Sequence, residues 1–307
     1  MIPAIFGKFF LTAPFFVFGK SYRSVRIAKC PPFWLLPLLV CDILLNILQF
    51  LVRKGALIEP CASSSPPPKK MVLDTDSFPV EGLPAFLERT ERLKTALQGM
   101  SPRELQDLWK CSDAIAKLNA ERLAHMDLRR RLTPAILAYE GIQYRYMAPG
   151  VMEAAQLDYL REHLRILSGF YGLLRPFDGV TPYRLEMQAK LPADGFRDLY
   201  EFWGGSLAQK LAGETGLVLN LASKEYSRAV EPYLSKSVRF VTCIFGEWKN
   251  GKVTESGAKC KMARGQMVRW LAEHQITGRA EIRAFDQLGY RFHPELSAEE
   301  CDVFLKA

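Results

Sequence analysis

Residues 165–178 read Arg165-Ile-Leu-Ser-Gly-Phe-Tyr-Gly-Leu-Leu-Arg-Pro-Phe-Asp178, and Pro182-Tyr-Arg-Leu-Glu-Met187 follows shortly after. The two runs together are called the signature segment. Its first three residues have the composition of a short apolar strand, which Ser168 and Gly169 bring to an end. Charged loops at the ends of rigid strands often carry binding or catalytic residues. The signature segment therefore predicts a functional site.

The polar side chains of the signature segment allow two interpretations. Arg175 and Asp178 either form an ion pair that only ties the loop down, or line a pocket with their neighbours. Arg184 stands between Tyr183 and Glu186, so we expect it to be half-buried and paired with a carboxylate. Its replacement by alanine should then cost on the order of 3 kcal/mol. The candidate pocket residues are Ser168, Arg175, Asp178, Tyr183, Arg184, Glu186 and, from a later strand end, Asn220.

The signature segment resembles that of a bacterial family of peroxide-stress proteins, the YaaA family. Further matching runs follow in order, so the resemblance extends over roughly residues 70 to 306. It implies a cytoplasmic protein of the response to hydrogen peroxide and oxidative stress that limits iron-linked damage. It also implies sequence-independent binding of duplex or branched DNA. The further matching runs are Leu199-Tyr-Glu-Phe-Trp-Gly204, Asn220-Leu-Ala-Ser-Lys-Glu-Tyr226 and Ala263-Arg-Gly265.

The positive charge of the chain is concentrated at its amino terminus. Of the net charge of +8 over 307 residues, residues 1–56 carry +6 and residues 57–307 carry only +2. Whole-chain charge therefore does not indicate that the main domain binds nucleic acid. Seven scattered cysteines without Cys-x-x-Cys spacing, and four isolated histidines, favour a reducing cytoplasm and predict no metal site. The sequence has no Walker loop, nucleophile elbow or dinucleotide fingerprint, so we expect no cofactor.

Residues 1–67 differ from the rest and form an amino-terminal extension that ends in a proline-rich linker. Its apolar run, residues 33–52, is 20 residues long, enough to span a bilayer, although Asp42 and Asn46 make insertion marginal. We expect membrane association only if the extension is a genuine part of the protein rather than a translated upstream frame. Residues 68–307 then form the main domain, and deletion of residues 1–67 should leave it folded.

The first strand of the main domain is missing from its expected place. Family members open with a hydrophobic strand that ends in Ser-Pro-Ala-Lys, directly before the residues that match Met71-Val-Leu-Asp74. Here Pro66-Pro-Pro-Lys-Lys70 occupies that place, and proline does not fit a central strand. If deletion of residues 1–67 unfolds the domain instead, Ala56-Leu-Ile58 is the candidate replacement strand.

From Leu83 onward, helical and strand patterns alternate. Ser101-Pro-Arg-Glu104 is a capping box that starts a helix, and Asn250-Gly251 predicts the turn of a hairpin. We expect a single α/β domain, of mixed α+β type, in which helices flank a mixed sheet. The other expected elements are helices at Leu83–Leu97, Ser112–Leu123, Val151–Glu162, Leu199–Leu211 and Lys261–Glu273, and strands at Pro134–Tyr139, Leu217–Leu221, Val238–Phe245, Lys252–Thr254 and Tyr290–Phe292.

Two regions are candidates for contacts with DNA phosphates. The helices of Ser101–Met126, joined near Ala116–Asn119, resemble the helix-hairpin-helix module of the family, although Lys117 stands where a typical hairpin has glycine. The second region runs from Lys249 to Arg269. Lysines and arginines on helices also often simply face water. For both regions the alternative is therefore that these side chains are solvated and bind no DNA. The candidate DNA-binding residues are Lys117, Arg122, Arg129, Arg130, Lys259, Lys261, Arg264 and Arg269.

Two functions follow from these patterns. The leading hypothesis is the family role, in which lysines and arginines neutralise backbone phosphates; it requires an exposed cationic groove. The alternative is an enzyme that acts on an anionic small molecule in a cleft around Ser168–Met187. It requires the signature groups and Lys261 within one concave pocket. Because no known catalytic motif occurs, we favour the first hypothesis.

Overall fold

The structure, a computed structural model, describes residues 55–60 and 70–306. The prediction for the apolar run 33–52 therefore lies outside the described residues. The strands are β1 (Gly55–Pro60), β2 (Lys70–Met71), β3 (Thr133–Pro134), β4 (Tyr139–Glu140), β5 (Leu164–Ser168), β6 (Gly172–Leu174), β7 (Gly179–Val180), β8 (Leu217–Asn220), β9 (Arg239–Lys249), β10 (Lys252–Thr254), β11 (Tyr290–Phe292) and β12 (Cys301–Lys306).

The helices alternate with these strands along the described part of the chain. They are α1 (Leu87–Gln98), α2 (Pro102–Trp109), α3 (Asp113–Ala124), α4 (Ala135–Ala138), α5 (Ile142–Met147), α6 (Ala154–His163), α7 (Leu199–Trp203), α8 (Ser206–Ala212), α9 (Lys224–Ser227), α10 (Gly257–Glu273) and α11 (Arg279–Ile282). Among these helices, none is long and apolar enough to cross a membrane.

Eight of the described strands form one mixed sheet in the order β11-β12-β9-β8-β1-β5-β6, with β10 folded back on β9. The strands from β12 to β5 run parallel to one another. Strands β11 and β6 are antiparallel to their neighbours. Two short sheets pair β2 with β4 and β3 with β7. The expected mixed α/β fold is confirmed.

Strand β1 occupies the middle of the sheet, although its residues fall within the predicted extension. Leu57 is level with Leu164 of β5 on one side and with Leu219 of β8 on the other. Without β1, strands β5 and β8 would lose the partner that joins them. Gly55–Pro60 therefore pairs as a central strand of the main sheet, and its role as the replacement for the family's first strand stays a prediction. The expectation that deletion of residues 1–67 leaves the domain folded is replaced by its opposite.

Local sequence signals set two element boundaries as expected. Glu104 N donates to Ser101 Oγ at 3.3 Å, and Ser101 N donates to Glu104 Oε2 at 2.7 Å, so the capping box starts α2. Asn250 and Gly251 have φ of 51° and 74° and connect β9 to β10. Left-handed backbone at both positions is typical of the tight hairpin turn that Asn-Gly favours.

Three expected elements differ from the structure. Pro134–Tyr139, expected as a strand, is mostly the short helix α4, because the strands at its two ends pair with β7 and β2 instead of with each other. Leu199–Leu211 is divided into α7 and α8 at Gly204, whose φ of 47° and ψ of −140° suit only glycine. Tyr290–Phe292, expected as the last strand, is followed by β12, which pairs in parallel with β9.

The expected hairpin at Ala116–Asn119 is wrong, because these residues lie inside α3. The tight connection is Lys110–Ser112, between α2 and α3, and Lys110 has a left-handed φ of 46°. Lys117 therefore does not occupy the turn position that glycine holds in a typical hairpin. A helix-hairpin-helix module in this region stays a prediction.

Candidate functional site

The parallel strands β1, β5 and β8 end at one edge of the sheet, which we call the carboxyl edge. Such edges are where α/β sheets usually bind ligands. Asn220, the last residue of β8, is buried; its Oδ1 accepts from Ala222 N at 2.9 Å and its Nδ2 donates to Thr242 Oγ1 at 3.1 Å. Asn220 therefore joins β8 to β9 and shapes the turn that follows.

Ser168, at the end of β5, starts a chain of three hydroxyl groups. Its Oγ accepts from the N–H groups of Phe170 (3.2 Å) and Tyr171 (2.9 Å) and lies 2.6 Å from the Tyr183 hydroxyl. Tyr183 OH is in turn 3.2 Å from Tyr139 OH. Since both lone pairs of Ser168 Oγ are used, its own proton donates to Tyr183. Ser168 thus ties the loop that follows β5 to Tyr183.

Gly169 allows the two runs of the signature segment to pack against each other. A Cβ at this position would lie 2.7 Å from Leu185 O and 2.8 Å from the carbonyl carbon of Glu186. Trp203 Nε1 donates to Gly169 O at 3.0 Å. A residue larger than glycine would push residues 185–187 away from the end of β5, so the glycine holds the site together.

Two carboxylates, Glu186 and Glu225, lie next to each other beside the signature segment. Gln188 connects them: its backbone N–H donates to Glu225 Oε1 at 3.3 Å and its side-chain amide to Glu186 Oε2 at 3.2 Å. Burial, reinforced by the negative charge of Glu186, raises the pKa of Glu225 from 4.5 to about 7. A carboxyl group with such a pKa can both accept and release a proton near neutral pH.

Lys261 and Arg264 lie on neighbouring positions of α10 and are both largely buried. Lys261 is 8% exposed, and its pKa is below the ordinary value because of burial and the nearby charge of Arg264. One turn later, a Cβ at Gly265 would lie only 2.0 Å from Gln143 O, so α10 packs directly against α5. Lys261 and Arg264 are therefore largely buried residues of a packed helix and do not line an exposed groove.

A second charged cluster lies at the opposite edge of the sheet. Because β6 is antiparallel to β5, its end at Leu174 brings Arg175 and Asp178 back towards the start of β5. There they border a cavity of about 210 Å³ with Arg165, which donates from Nε to Glu214 Oε2 at 2.7 Å. The pocket predicted from the signature is thus divided. The carboxyl edge holds Ser168, Tyr183, Glu186 and Asn220. The cavity at the opposite edge is bordered by Arg175 and Asp178.

Asp178 is expected to make stability depend on pH. Burial raises its pKa from 3.8 to about 6, against the opposing effect of the Arg175 N–H, which donates to Oδ2 at 2.8 Å. A raised pKa in the folded state contributes stability at low pH that is lost as pH rises through the folded pKa. Relative to Asp178→Asn, the wild type should lose roughly 3 kcal/mol of unfolding free energy between about pH 4 and pH 7. Chemical denaturation of both proteins across this range measures the difference.

The exposed Asp107 of α2 supplies the control for this prediction. Asp107→Asn removes the same charge at an exposed position, so it controls for the loss of one negative charge. If Asp178→Asn and Asp107→Asn show the same pH dependence, burial does not perturb Asp178.

Arg184 is half-buried as expected, but its partner is different. Its NH2 group donates to Trp109 O at 3.3 Å, and its Nε has no hydrogen-bond partner. No carboxylate of the described residues lies within ion-pair distance of it, so the expected buried ion pair is wrong. Without that pair, the cost of Arg184→Ala falls to that of a hydrogen bond from a charged donor, about 1.5–3 kcal/mol.

The candidate phosphate contacts around α3 differ in exposure and in surroundings. Lys117 lines a groove of about 1000 Å³ between α2 and α3, together with Arg103, Lys110 and three carboxylates, so the groove is balanced in charge. Arg122 is half-buried in the last turn of α3, where a cation is favourable for the helix itself. These two residues do not form an exposed cationic surface.

Three consecutive arginines, Arg129–Arg131, form an exposed turn after α3, which we call the arginine turn. Arg130 is 85% exposed and its Nε lies 3.9 Å from Asp127 Oδ2, at the limit of an ion pair. Arg129 N donates to Asp127 Oδ1 at 2.8 Å, which holds the turn in place.

The cations of the second region are mostly neutralised by their own neighbours. Lys259 and Lys249 share the carboxylate of Glu247. Arg269 donates from Nε to Glu273 Oε1 at 2.7 Å. With Lys261 and Arg264 buried, this region does not present the row of free charges that the sequence suggested.

Glu225, Ser223 and Gln143 were not among the site residues that the sequence predicted. Glu225 and Ser223 lie in the run Asn220–Tyr226, which was recognised as a family motif, so that motif could have directed attention to them. Ser223 Oγ and Gln143 Nε2 are buried without a hydrogen-bond partner. Nothing in the sequence around Gln143 indicated a polar role. No group of three or more potential metal ligands occurs among the described residues.

Comparison with known proteins agrees with the motifs at this site. Residues 65–296 match the family described as Peroxide stress protein YaaA. A relative named UPF0246 protein, from Lachnoclostridium phytofermentans, is 54% identical over 240 residues. The matched residues cover 78% of this chain and 94% of the relative. The identity is 50% over 240 residues in Pediococcus pentosaceus and 49% over 241 residues in Desulfitobacterium hafniense, each covering 78% of this chain and 96% of the relative. The chain therefore belongs to the YaaA family of peroxide stress proteins.

Proposed function

We propose that this chain limits iron-linked damage during peroxide stress by binding duplex or branched DNA without regard to sequence. The contact would be the arginine turn. The observation that carries the proposal is that Arg129, Arg130 and Arg131 are consecutive and exposed, with Asp127 as the neighbouring carboxylate. The other candidate cations are buried, half-buried or close to carboxylates, so the turn replaces them as the leading candidate.

The chemistry of the turn suits backbone phosphates. A guanidinium group binds a phosphate through two parallel hydrogen bonds, and its charge displaces the counterions that surround DNA. Phosphate contacts carry no base information, so affinity should be nearly the same for every sequence. Branched DNA presents the same phosphates as duplex DNA, and the proposal covers both.

Arg129→Gln with Arg130→Gln is expected to weaken binding to every duplex about equally. Loss of two phosphate contacts should lower the slope of log affinity against log salt by roughly two units, since each contact contributes about 0.9. Arg131 is kept because its φ of 52° disfavours many replacements. Titration of duplexes of two unrelated sequences at several salt concentrations, with the full-length chain, measures both effects.

The matched control removes the same charge elsewhere on the surface. Lys236 and Arg239 are both exposed; Lys236 precedes β9 and Arg239 is its first residue. Lys236→Gln with Arg239→Gln should leave the salt slope close to that of the wild type. Because both double variants retain the basic extension, any binding by that segment cancels in the comparison. Equal slopes for the two variants would contradict a role of the arginine turn.

A further inference from the structure

Lys261 and Arg264 form a pair of buried like charges with little compensation. They are three residues apart on α10, a spacing that makes side chains neighbours on a helix. Lys261 is 8% exposed and the Arg264 side chain 13% exposed. The carboxylate within ion-pair distance in the described structure is Glu255, 3.8 Å from Arg264 NH2. One distant carboxylate does not balance two buried cations.

Burial of uncompensated charge is costly, so buried charges in proteins are normally paired and hydrogen-bonded. Arg264 Nε has no hydrogen-bond partner, although it is buried. The lowered pKa of Lys261 reflects the same burial and the repulsion from Arg264. Both groups would gain from a negatively charged partner at this place.

A third donor belongs to the helix that packs against α10. Gln143 belongs to α5, whose backbone approaches α10 so closely at Gly265 that a Cβ there would lie 2.0 Å from Gln143 O. The Gln143 side chain is buried, and its Nε2 has no hydrogen-bond partner. Arg264 Nε and Gln143 Nε2 are both donors without a partner, and Lys261 adds a second cation, so the three residues favour an acceptor-rich anion.

The limited exposure of this contact selects a small ligand. A duplex backbone cannot approach a lysine that is 8% exposed as it approaches a surface side chain. A compact anion can enter where a duplex cannot. A phosphate group carries close to two negative charges near neutral pH and several acceptor oxygens, so it matches two cations and an amide better than a carboxylate does.

We propose that Lys261, Arg264 and Gln143 bind the phosphate group of a small molecule at the contact between α5 and α10. The site does not depend on the arginine turn or on DNA binding. It also gives the alternative of an enzyme for anionic small molecules a defined anion subsite.

The test is calorimetric titration of inorganic phosphate into the full-length chain at constant ionic strength, with chloride as the replaced anion. We expect one site per chain. Arg264→Met and Gln143→Leu should each weaken phosphate binding at least about tenfold. Arg264→Lys, which keeps the charge but loses the guanidinium fork, should bind with intermediate affinity. Cooperative thermal unfolding of each variant shows that the fold is intact.

The matched control is Arg269→Met, on the same helix, because Arg269 is paired with Glu273 and is only partly exposed. Its phosphate affinity should equal that of the wild type. Phosphate binding that survives in Arg264→Met, or that falls equally in Arg269→Met, would mean an adventitious ion only and would overturn the proposal. So would the absence of any binding heat together with no stabilisation of the wild type by phosphate.

A second arm distinguishes a small phosphate compound from a DNA backbone. Saturating phosphate should not change duplex affinity at constant ionic strength, and Arg264→Met should bind duplex as the wild type does. If duplex competes with phosphate and Arg264→Met loses both, the cations serve DNA, and the proposal of a separate site is overturned. If duplex binding is absent while the phosphate site is present, the proposed function fails and this inference stands.

Discussion

Deletion of residues 1–67 is expected to prevent the main domain from folding, whereas deletion of residues 1–54 should leave it folded. The difference between the two variants is β1 and the residues that follow it. Strand β1 pairs in parallel with β5 through Leu57–Pro60 and with β8 through Gly55–Ile58. Its loss would remove two rows of backbone hydrogen bonds from the centre of the sheet and leave unpaired strand edges, which promote aggregation.

Soluble yield and thermal unfolding of the two deletion variants measure this effect. The shorter deletion should show a cooperative transition close to that of the full-length chain. The longer deletion should be insoluble, or should lack a cooperative transition. A longer deletion variant that unfolds at the same temperature as the shorter one would show that β1 contributes nothing to the domain.

Asp302→Asn is expected to produce the largest loss of stability from a single substitution. Asp302, on β12, is fully buried and binds Arg279 through two hydrogen bonds, Nε to Oδ2 at 2.9 Å and NH2 to Oδ1 at 3.0 Å. Arg283 NH2 donates to Oδ1 at 3.1 Å. The asparagine amide would face these donors with a donor of its own and would leave the charge of Arg279 uncompensated. Removal of one partner from a buried ion pair costs about 3–5 kcal/mol.

Asp194→Asn is the control for this substitution. Asp194 pairs with Arg92 at the surface, where the two side chains are 38% and 50% exposed. Asparagine tolerates the left-handed φ of 53° at this position. An exposed ion pair contributes less than about 1 kcal/mol, so this variant should unfold at nearly the same denaturant concentration as the wild type. Similar midpoints for Asp302→Asn and Asp194→Asn would contradict a stabilising role of the buried cluster.

Elements that depend on neighbouring residues could be predicted from the sequence. The capping box at Ser101 and the Asn250-Gly251 turn act within four residues, so their geometry is independent of the rest of the chain. The signature segment and the family also follow from the sequence, since the motifs occur in order along it. The order of strands could not be predicted in this way, because β1 and β12 gain their places through partners far away in the chain.

The residues of the candidate site also divide into those that the sequence could identify and those whose positions depend on the fold. The sequence identified many of the polar residues of the carboxyl edge, but of the run Asn220–Tyr226 it singled out Asn220 and not Glu225. It could not separate Arg175 and Asp178 from Ser168 and Tyr183, because a strand that turns back places residues ten apart at opposite edges of the sheet. It also could not show that Lys261 is buried.

The sequence by itself determined the family, the mixed α/β class, the local caps and turns, and the concentration of charge outside the main domain. The tertiary structure alone decided that β1 lies between β5 and β8, that the signature residues divide between two edges, and that Lys261 and Arg264 are largely buried. The physical reason is that caps and turns are decided by hydrogen bonds within a few residues. Strand pairing, burial and the neighbours of a charge are decided by contacts between segments that only the folded chain brings together.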